Sequence, residues 1–368
     1  MKWNNQQENA LKCVDNWFYT ESKNKKIFRV FGYAGTGKST LARHFADNID
    51  GQVSYAAFTG KAASVMRKAG CVNAKTIHSL IYKTQEDDKG RITFHLNRSS
   101  ELSNSSLLIV DECSMVDEHI GKDLLSFGVP ILVLGDPAQL PPPNGSGFFT
   151  EHEPDIMLTE IHRQASDNPI IHLATLVREG NKLSIGKYGE SEIVSKIRRN
   201  DLLESCQVIV GRNSTRKTKN NQMRQLKFNE ETDLPVKGDK LICLKNDSAL
   251  GIYNGMMFNV DGINQHKSSA KSKYMFMSLD GEDFNRPIIV KAPKVIFTSE
   301  EIPPSNLAEM KKSQHFDYGY AITAHKSQGS QWESVLIYDE SWCFRNDWNR
   351  WLYTSITRAS EKVKVLQT

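Results

Sequence analysis

The stretch GYAGTGKST, residues 32–40, carries the most legible chemistry in this 368-residue chain. Gly32 and Gly37 with four residues between them, then Lys38 and Ser39, have the spacing of a loop that cradles phosphate. Backbone N–H groups of residues 33–38, including those of Ala34, Gly35, Thr36 and Gly37, would line the anion, and the start of a following helix adds favourable partial charge. Lys38 reaches the β- and γ-phosphates, Ser39 ligates Mg²⁺, and Thr40 completes the stretch. The loop calls for a nucleoside triphosphate, but alone it leaves open a kinase, a switch or a motor.

Two further segments narrow this. In LLIVDECSMVD (107–117) an apolar strand ends in Asp111-Glu112. Alone, such a pair often only caps a helix. Placed about 70 residues after a phosphate loop, it offers Asp111 to the Mg²⁺ shell and Glu112 as general base for an attacking water, which favours hydrolysis over transfer to a metabolite. In VLGDPAQLPP (133–142), Asp136 and Gln139 follow another apolar strand. Gln139 is placed to orient the water or sense the γ-phosphate; the plain alternative is a proline-rich turn.

Such groups need a sheet whose strand ends lie side by side. IFRVF (27–31) and VSYAAF (53–58) read as strands, and SLLIV (106–110) and ILVLG (131–135) are too apolar for a half-exposed sheet, so together with the intervening helices they read as a parallel sheet covered on both faces. Leu41, Phe45 and Ile49 recur at helical spacing after the loop, with Gly51 expected to end that helix. YKTQEDDKGRITFHL interrupts the pattern as a hairpin with Ile92, Phe94 and Leu96 alternating. VIVG (208–211), SVLIY (334–338) and VKVL (363–366) predict a second α/β unit. Between them PVKGDKLICL, GMMFNVDGI, YMFMSLDG and PIIVKAPKVIF are closely spaced strands, read as a small barrel inserted over roughly 236–312.

Composition sets wide limits. Hydrophobic residues make up 39% and charged residues 24%, which suits a globular protein, and a net charge of +4 permits nucleic acid without demanding it. No apolar run approaches the ~18 residues of a membrane span, and the N-terminus has no apolar signal core. A soluble, cytoplasmic protein with no membrane partner is expected (host cytoplasm if phage-encoded). Six scattered cysteines without a CxxC pair read as reduced thiols.

In this order the segments resemble superfamily 1B helicases, the branch of RecD-like, Pif-like and Dda-like DNA helicases. The resemblance covers nearly the whole chain: NNQQENA (4–10), GYAGTGKST (32–40), AAFTGKAA (56–63), KTIHSL (75–80), IVDECSM (109–115), LGDPAQLPP (134–142), LTEIHRQ (158–164), AITAHKSQGSQW (321–332) and YTSITRAS (353–360). It implies an α/β fold of two RecA-like parallel-sheet P-loop NTPase cores, with a β-hairpin insertion in the first and a small β-barrel insertion in the second. The expected layout is first core 1–82, hairpin pin 83–106, first core again 107–157, second core 158–235, barrel 236–312 and second core again 313–368. ATP and Mg²⁺ are the implied ligands. Gln7 matches the adenine-reading glutamine, Arg163 and Arg358 match arginine fingers, and Gly329 matches a nucleotide-site glycine. An arginine delivered from a second core neutralises transition-state charge only when the cleft closes.

Thr59, Lys61, Thr76 and His78 in the first core, and Thr323, His325 and Lys326 in the second, match segments that hold single-stranded DNA. Phe58 either stacks on a base or packs at a strand end, and both histidines could equally be interior groups. The hairpin sits where the family carries a strand-separating pin. Its expected tip, Asp87-Asp88-Lys89-Gly90, is charged, so strand separation would rest on Phe94, on His95 or on steric exclusion. The resemblance implies a monomeric ATP-dependent 5′→3′ helicase acting on single-stranded and forked duplex DNA in replication, recombination or repair. Single-stranded-DNA-binding or replication proteins are further implied partners. The alternative is a translocase that displaces proteins or remodels DNA without robust unwinding.

Overall fold

The computed structural model describes residues 3–86, 92–142, 147–160, 168–228, 232–247, 249–282, 284–299, 302–311 and 313–367. The first core contains β1 (Ile27–Gly32), β2 (Val53–Ala57), β3 (Lys75–Thr76), β6 (Leu107–Asp111), β7 (Ile131–Gly135) and β8 (Ile156–Leu158). They form a six-stranded sheet in the order β3-β2-β6-β7-β1-β8, parallel throughout. Every side chain of β7 and the first four of β6 are buried, as a sheet with both faces covered requires. This order sets the carboxyl ends of β6, β7 and β1 next to one another, so Asp111, Asp136 and the phosphate loop share one edge. Ligands bind at such an edge in open α/β sheets.

β4 (Tyr82–Glu86) and β5 (Ile92–Leu96) form the expected antiparallel hairpin. The expected tip residues, Asp87 to Gly90, lie outside the described residues. The helix after the phosphate loop runs Lys38–Ala46 and stops short of Ile49 and Gly51. Its end is tightened by i→i+3 bonds from Asn48 N to Phe45 O (3.1 Å) and from Ile49 N to Ala46 O (3.2 Å). Ile49 still packs on the core cluster below the sheet. Thr159 and Glu160 donate their amides to Gln6 Oε1, each at 2.9 Å, so the chain is still on the first core at residue 160.

The second core holds β9 (Gly186–Tyr188), β10 (Ser191–Val194), β11 (Gln207–Val210), β17 (Ala321–Thr323), β18 (Trp332–Asp339) and β19 (Ala359–Gln367). Its order is β17-β11-β18-β19-β10-β9, parallel except for the β9–β10 hairpin. The inserted strands β12 (Lys240–Cys243), β13 (Met257–Ile263), β14 (Tyr274–Asp280) and β15 (Ile288–Pro293) are joined by β16 (Phe316–Tyr318), which comes from beyond residue 312. The sheet curls until its edges meet: Gln314 N donates to Lys291 O at 3.0 Å, and Lys291 N to the Gln314 side chain at 2.8 Å. Phe258, Met277, Leu279 and Phe316 fill its interior in one continuous cluster with Val208, Val210 and Leu336 of the second core. The buried pair Arg224–Asp239 (3.0 Å) ties the barrel to the helix Asn213–Phe228.

Candidate nucleotide cleft and nucleic-acid interface

Gly37 has φ +81, a left-handed conformation that a β-carbon would disfavour, and it opens the helix that begins at Lys38. Lys38 Nζ rests on the loop's own carbonyls, at 2.6 Å from Gly32 O and 3.0 Å from Tyr33 O. The exposed Ser39 gives its hydroxyl to Asp111 Oδ2 at 2.7 Å. The other oxygen of Asp111 accepts the Glu112 amide at 2.8 Å. Burial pushes the Asp111 carboxyl up, and the neighbouring Glu112 carboxylate pushes it further. Glu112 itself has φ +53, one of two described non-glycine residues with positive φ, and strain of this kind gathers at functional sites.

This donor set fits a Mg²⁺ ion. Asp111 is a carboxylate destabilised by its surroundings, with a hydroxyl beside it and the phosphate loop adjacent. Among the described residues no group of three or more His, Cys, Asp and Glu side chains could hold a metal by itself.

Gln7 lies beneath the loop, 1% exposed. Its Nε2 donates to Thr36 O at 3.0 Å and its Oε1 accepts the Asn4 amide at 3.2 Å, closing a capping box on the first helix. Both ends of the amide are therefore engaged by protein, and Gln7 supports the loop in this arrangement instead of facing open space. Asp136 is buried and pushed up by that burial, with Lys38 opposing the shift. Gln139 is 7% exposed, and its Oε1 has no hydrogen-bond partner among the described residues.

The second core reaches into this edge. Arg358, buried, donates to Thr354 O (3.1 Å), Ser330 O (3.3 Å) and Thr357 Oγ1 (3.1 Å). It still comes within 3.9 Å of Glu112 Oε1. Arg163 lies outside the described residues. Gly329 faces Thr59 and Ala62 of the first core, with φ +71.

Several contributors were not singled out from sequence. Thr354 Oγ1 accepts the Leu140 amide and Gln328 Nε2 donates to Leu140 O, both at 2.9 Å. Tyr353 touches Ala34 and Asp136. Arg178 stacks over the Tyr33 ring at 3.6 Å. A cavity of about 230 Å³ opens between Tyr33, Pro137 and Ala138 on one side and Arg178, Asn349 and Arg350 on the other. Tyr353, Thr354 and Gln328 lie inside the motif segments YTSITRAS and AITAHKSQGSQW, but no spacing rule marks a side chain for contact across a cleft.

The expected DNA-facing residues divide. Thr59 and Thr76 cap the helices Gly60–Lys68 and Ile77–Ile81, accepting the amides of Ala62 and Ser79, each at 3.1 Å. Lys61 pairs with Glu282 of the barrel at 2.7 Å. The half-buried His78 ring sits amid Phe58, Tyr82 and Phe94, at centroid distances of 6.2, 5.6 and 5.9 Å. Desolvation lowers its pKa, against the opposing Asp117 carboxylate, and so favours the neutral ring. Phe94 is 55% exposed at this cluster. In the second core Lys326 is exposed and Thr323 is half-buried without a side-chain capping bond. His325, its pKa lowered by burial, is half-buried and lies near the Pro141 carbonyl of the first core.

Two parallel-sheet cores, one with an intact phosphate loop and the other presenting an arginine to its Glu112, define a two-core P-loop NTPase. Residues 4–199 match the family model described as an AAA domain, and residues 318–366 match the UvrD-like helicase C-terminal domain. The first match covers more than half of the chain, which belongs to the superfamily 1 helicases of the RecD-, Pif- and Dda-like group. The chain is 27% identical to the ATP-dependent RecD2 DNA helicase of Deinococcus radiodurans over 364 residues, covering 90% of this chain and 45% of that protein. It is 33% identical to the ATP-dependent DNA helicase dda of Enterobacteria phage T4 over 189 residues, 47% of this chain and 42% of that protein. It therefore matches under half the length of each. Its fold aligns with a structure of two coordinating Pif1 helicases at forked double-stranded DNA, with TM-score 0.59 and 19% identity, over 99% of this chain and 92% of that one. No helix among the described residues is long and apolar enough to cross a membrane.

Proposed function

We propose that this chain is an ATP-driven motor that moves 5′→3′ along single-stranded DNA and unwinds the duplex ahead of it. The observation that carries the reading is the approach of Arg358, from the second core, to within 3.9 Å of Glu112 in the first. Hydrolysis chemistry and core closure then share the same atoms. Lys38 leaves the Gly32 and Tyr33 carbonyls to hold the β- and γ-phosphates. Glu112 takes a proton from the attacking water, and Gln139 Oε1 accepts a hydrogen bond that aligns that water. Ser39 and Asp111 would hold a Mg²⁺ ion, which would supply positive charge against the phosphates. Arg358, and Arg163 with it, balance the charge that develops on the transferred phosphoryl group.

The nucleic-acid path runs over both cores, past Phe58, Lys61 and His78 on the first and Thr323 and Lys326 on the second. Contacts to phosphate position a strand without reading its sequence. Phe94, exposed on the second strand of the hairpin, is the group placed to meet the fork, and it favours unwinding over translocation alone. Gln7 acts on adenine through the loop it supports. The relatives named above include a T4 DNA helicase and a structure described as unwinding forked DNA, which supports forked DNA as substrate. The protein acts as a monomer in the cytoplasm, and single-stranded-DNA-binding and replication proteins are its natural companions.

One assay tests this: ATP-dependent unwinding of duplexes with a 5′ tail, a 3′ tail or blunt ends. Unwinding of the 5′-tailed substrate alone is expected. Unwinding of only the 3′-tailed one overturns the polarity, DNA-stimulated ATPase without strand separation favours the translocase alternative, and ATPase indifferent to DNA removes the motor.

A further inference from the structure

Tyr353 belongs to the second-core helix Trp348–Ile356 and is 1% exposed. Its hydroxyl donates to Asp136 Oδ2 at 2.6 Å and accepts the amide of Ala34 at 2.9 Å. One oxygen atom thus joins the phosphate loop, the loop after β7 and the second core. The Ala34 amide belongs to the run of N–H groups that the loop's spacing assigns to phosphate. While Tyr353 accepts from it, that donor is turned away from any phosphate oxygen. The neighbouring cross-core bonds differ in this respect, since Thr354 and Gln328 hold Leu140. The cavity of about 230 Å³ lies beside this contact, lined by Tyr33 and by Asn349 one helical turn before Tyr353.

We propose that Tyr353 is a positioning residue that couples occupancy of the phosphate loop to the interface between the cores. Its hydroxyl holds the Ala34 amide until the terminal phosphate of ATP takes that amide over; the exchange frees the hydroxyl from the loop, while the bond it donates to Asp136 keeps the second core against the first. The inference rests on reading the cleft as an ATP site. A neutral hydrogen bond is replaced by a charge-assisted one, so the exchange favours ATP. The cost of breaking the first bond is subtracted from apparent affinity and appears as coupling between nucleotide and core arrangement. ADP lacks the terminal phosphate and leaves the contact in place.

Tyr353→Phe keeps the packed ring and deletes the hydroxyl. Equilibrium binding of fluorescent ATP and ADP analogues without DNA is measured, together with steady-state ATPase with and without single-stranded DNA. With the competing acceptor gone, preference for the ATP analogue over the ADP analogue should rise about threefold to tenfold. DNA stimulation of kcat should fall, since the loop no longer reports to the second core. Thr354→Val loosens the same interface without touching Ala34, and should leave the ATP-to-ADP preference at the wild-type value. An unchanged preference in Tyr353→Phe, or an equal loss of both affinities with a lowered melting temperature, overturns the proposal. If Tyr353→Phe does not fold, 3-fluorotyrosine placed at 353 decides: its ¹⁹F resonance should shift with a non-hydrolysable ATP analogue and not with ADP, and an unmoved resonance overturns the proposal. A wild-type protein without ATPase activity would instead overturn the function itself.

Discussion

Gly329 offers a quantitative test of the closed cleft. Its φ of +71 is left-handed, and a β-carbon added there would stand 2.7 Å from Ala62 Cβ and 3.0 Å from Thr59 Oγ1. Two costs follow for Gly329→Ala. The backbone term is about 1–2 kcal/mol, because an L-side chain is crowded in that conformation, and it is present wherever the chain is folded. The contact term arises because two carbons rest at about 3.5–4.0 Å. Ala62 has no rotamer to move, so the cores must part locally by about 1 Å. That strain acts only while the cores are together. If it amounts to about 1.4 kcal/mol, the closed population falls about tenfold, and with it the rate that depends on closure. The assay is DNA-stimulated ATPase as a function of ATP, with melting temperature alongside. Gly329→Ala should lose about tenfold in kcat with little change in KM. Adding Ala62→Gly removes the opposing carbon and should recover most of the kcat while lowering stability further, by about 1 kcal/mol of helix propensity. Full DNA-stimulated kcat in Gly329→Ala, or a double variant no faster than the single one, would refute the claim that this contact belongs to the working closed state.

Asp111→Asn should abolish Mg²⁺-dependent hydrolysis yet raise the melting temperature near neutral pH. Burial and Glu112 raise the Asp111 pKa in the folded chain, so the folded state binds the extra proton and loses stability as pH rises through that window. The gain should shrink as pH falls towards the ordinary carboxylate range, and a pH-independent difference in thermal melts would contradict it. Arg358→Lys removes the fork that reaches Ser330 O, Thr354 O and Thr357 Oγ1. It should cut hydrolysis by about 10³-fold while ATP-analogue binding stays within a few-fold; a full DNA-stimulated rate would end the two-core model. Phe94→Ala, at a ring 55% exposed, should reduce fork unwinding several-fold and spare single-stranded-DNA-stimulated ATPase, and parallel loss of both would remove it from strand separation.

Much of the fold was legible because strong local patterns met no competition. Apolar runs became β1, β2, β6 and β7, and the alternating segments became the hairpin and the barrel. The short strands β3 and β8 were not legible, since two or three residues carry no periodicity and pair only because a neighbour is present. The helix after the phosphate loop reads too long in sequence because Ile49 keeps the apolar spacing while the backbone has already turned into i→i+3 bonds. β16 escapes a local reading for a different reason: its partner β12 is distant in sequence, and long-range pairing leaves little trace in either segment.

The sequence by itself determined the chemistry that depends on adjacency along the chain: the phosphate loop with Lys38 and Ser39, and the Asp111-Glu112 pair at a strand end. Those roles rest on backbone geometry and side-chain type, both written locally. Only the tertiary structure decided which groups meet across the cleft. It set His325 near the Pro141 carbonyl and Gly329 against Ala62. It also brought the Tyr353 hydroxyl onto Ala34 and Asp136. These contacts join residues far apart in the chain, and their existence depends on how the two sheets are oriented, which no local pattern encodes.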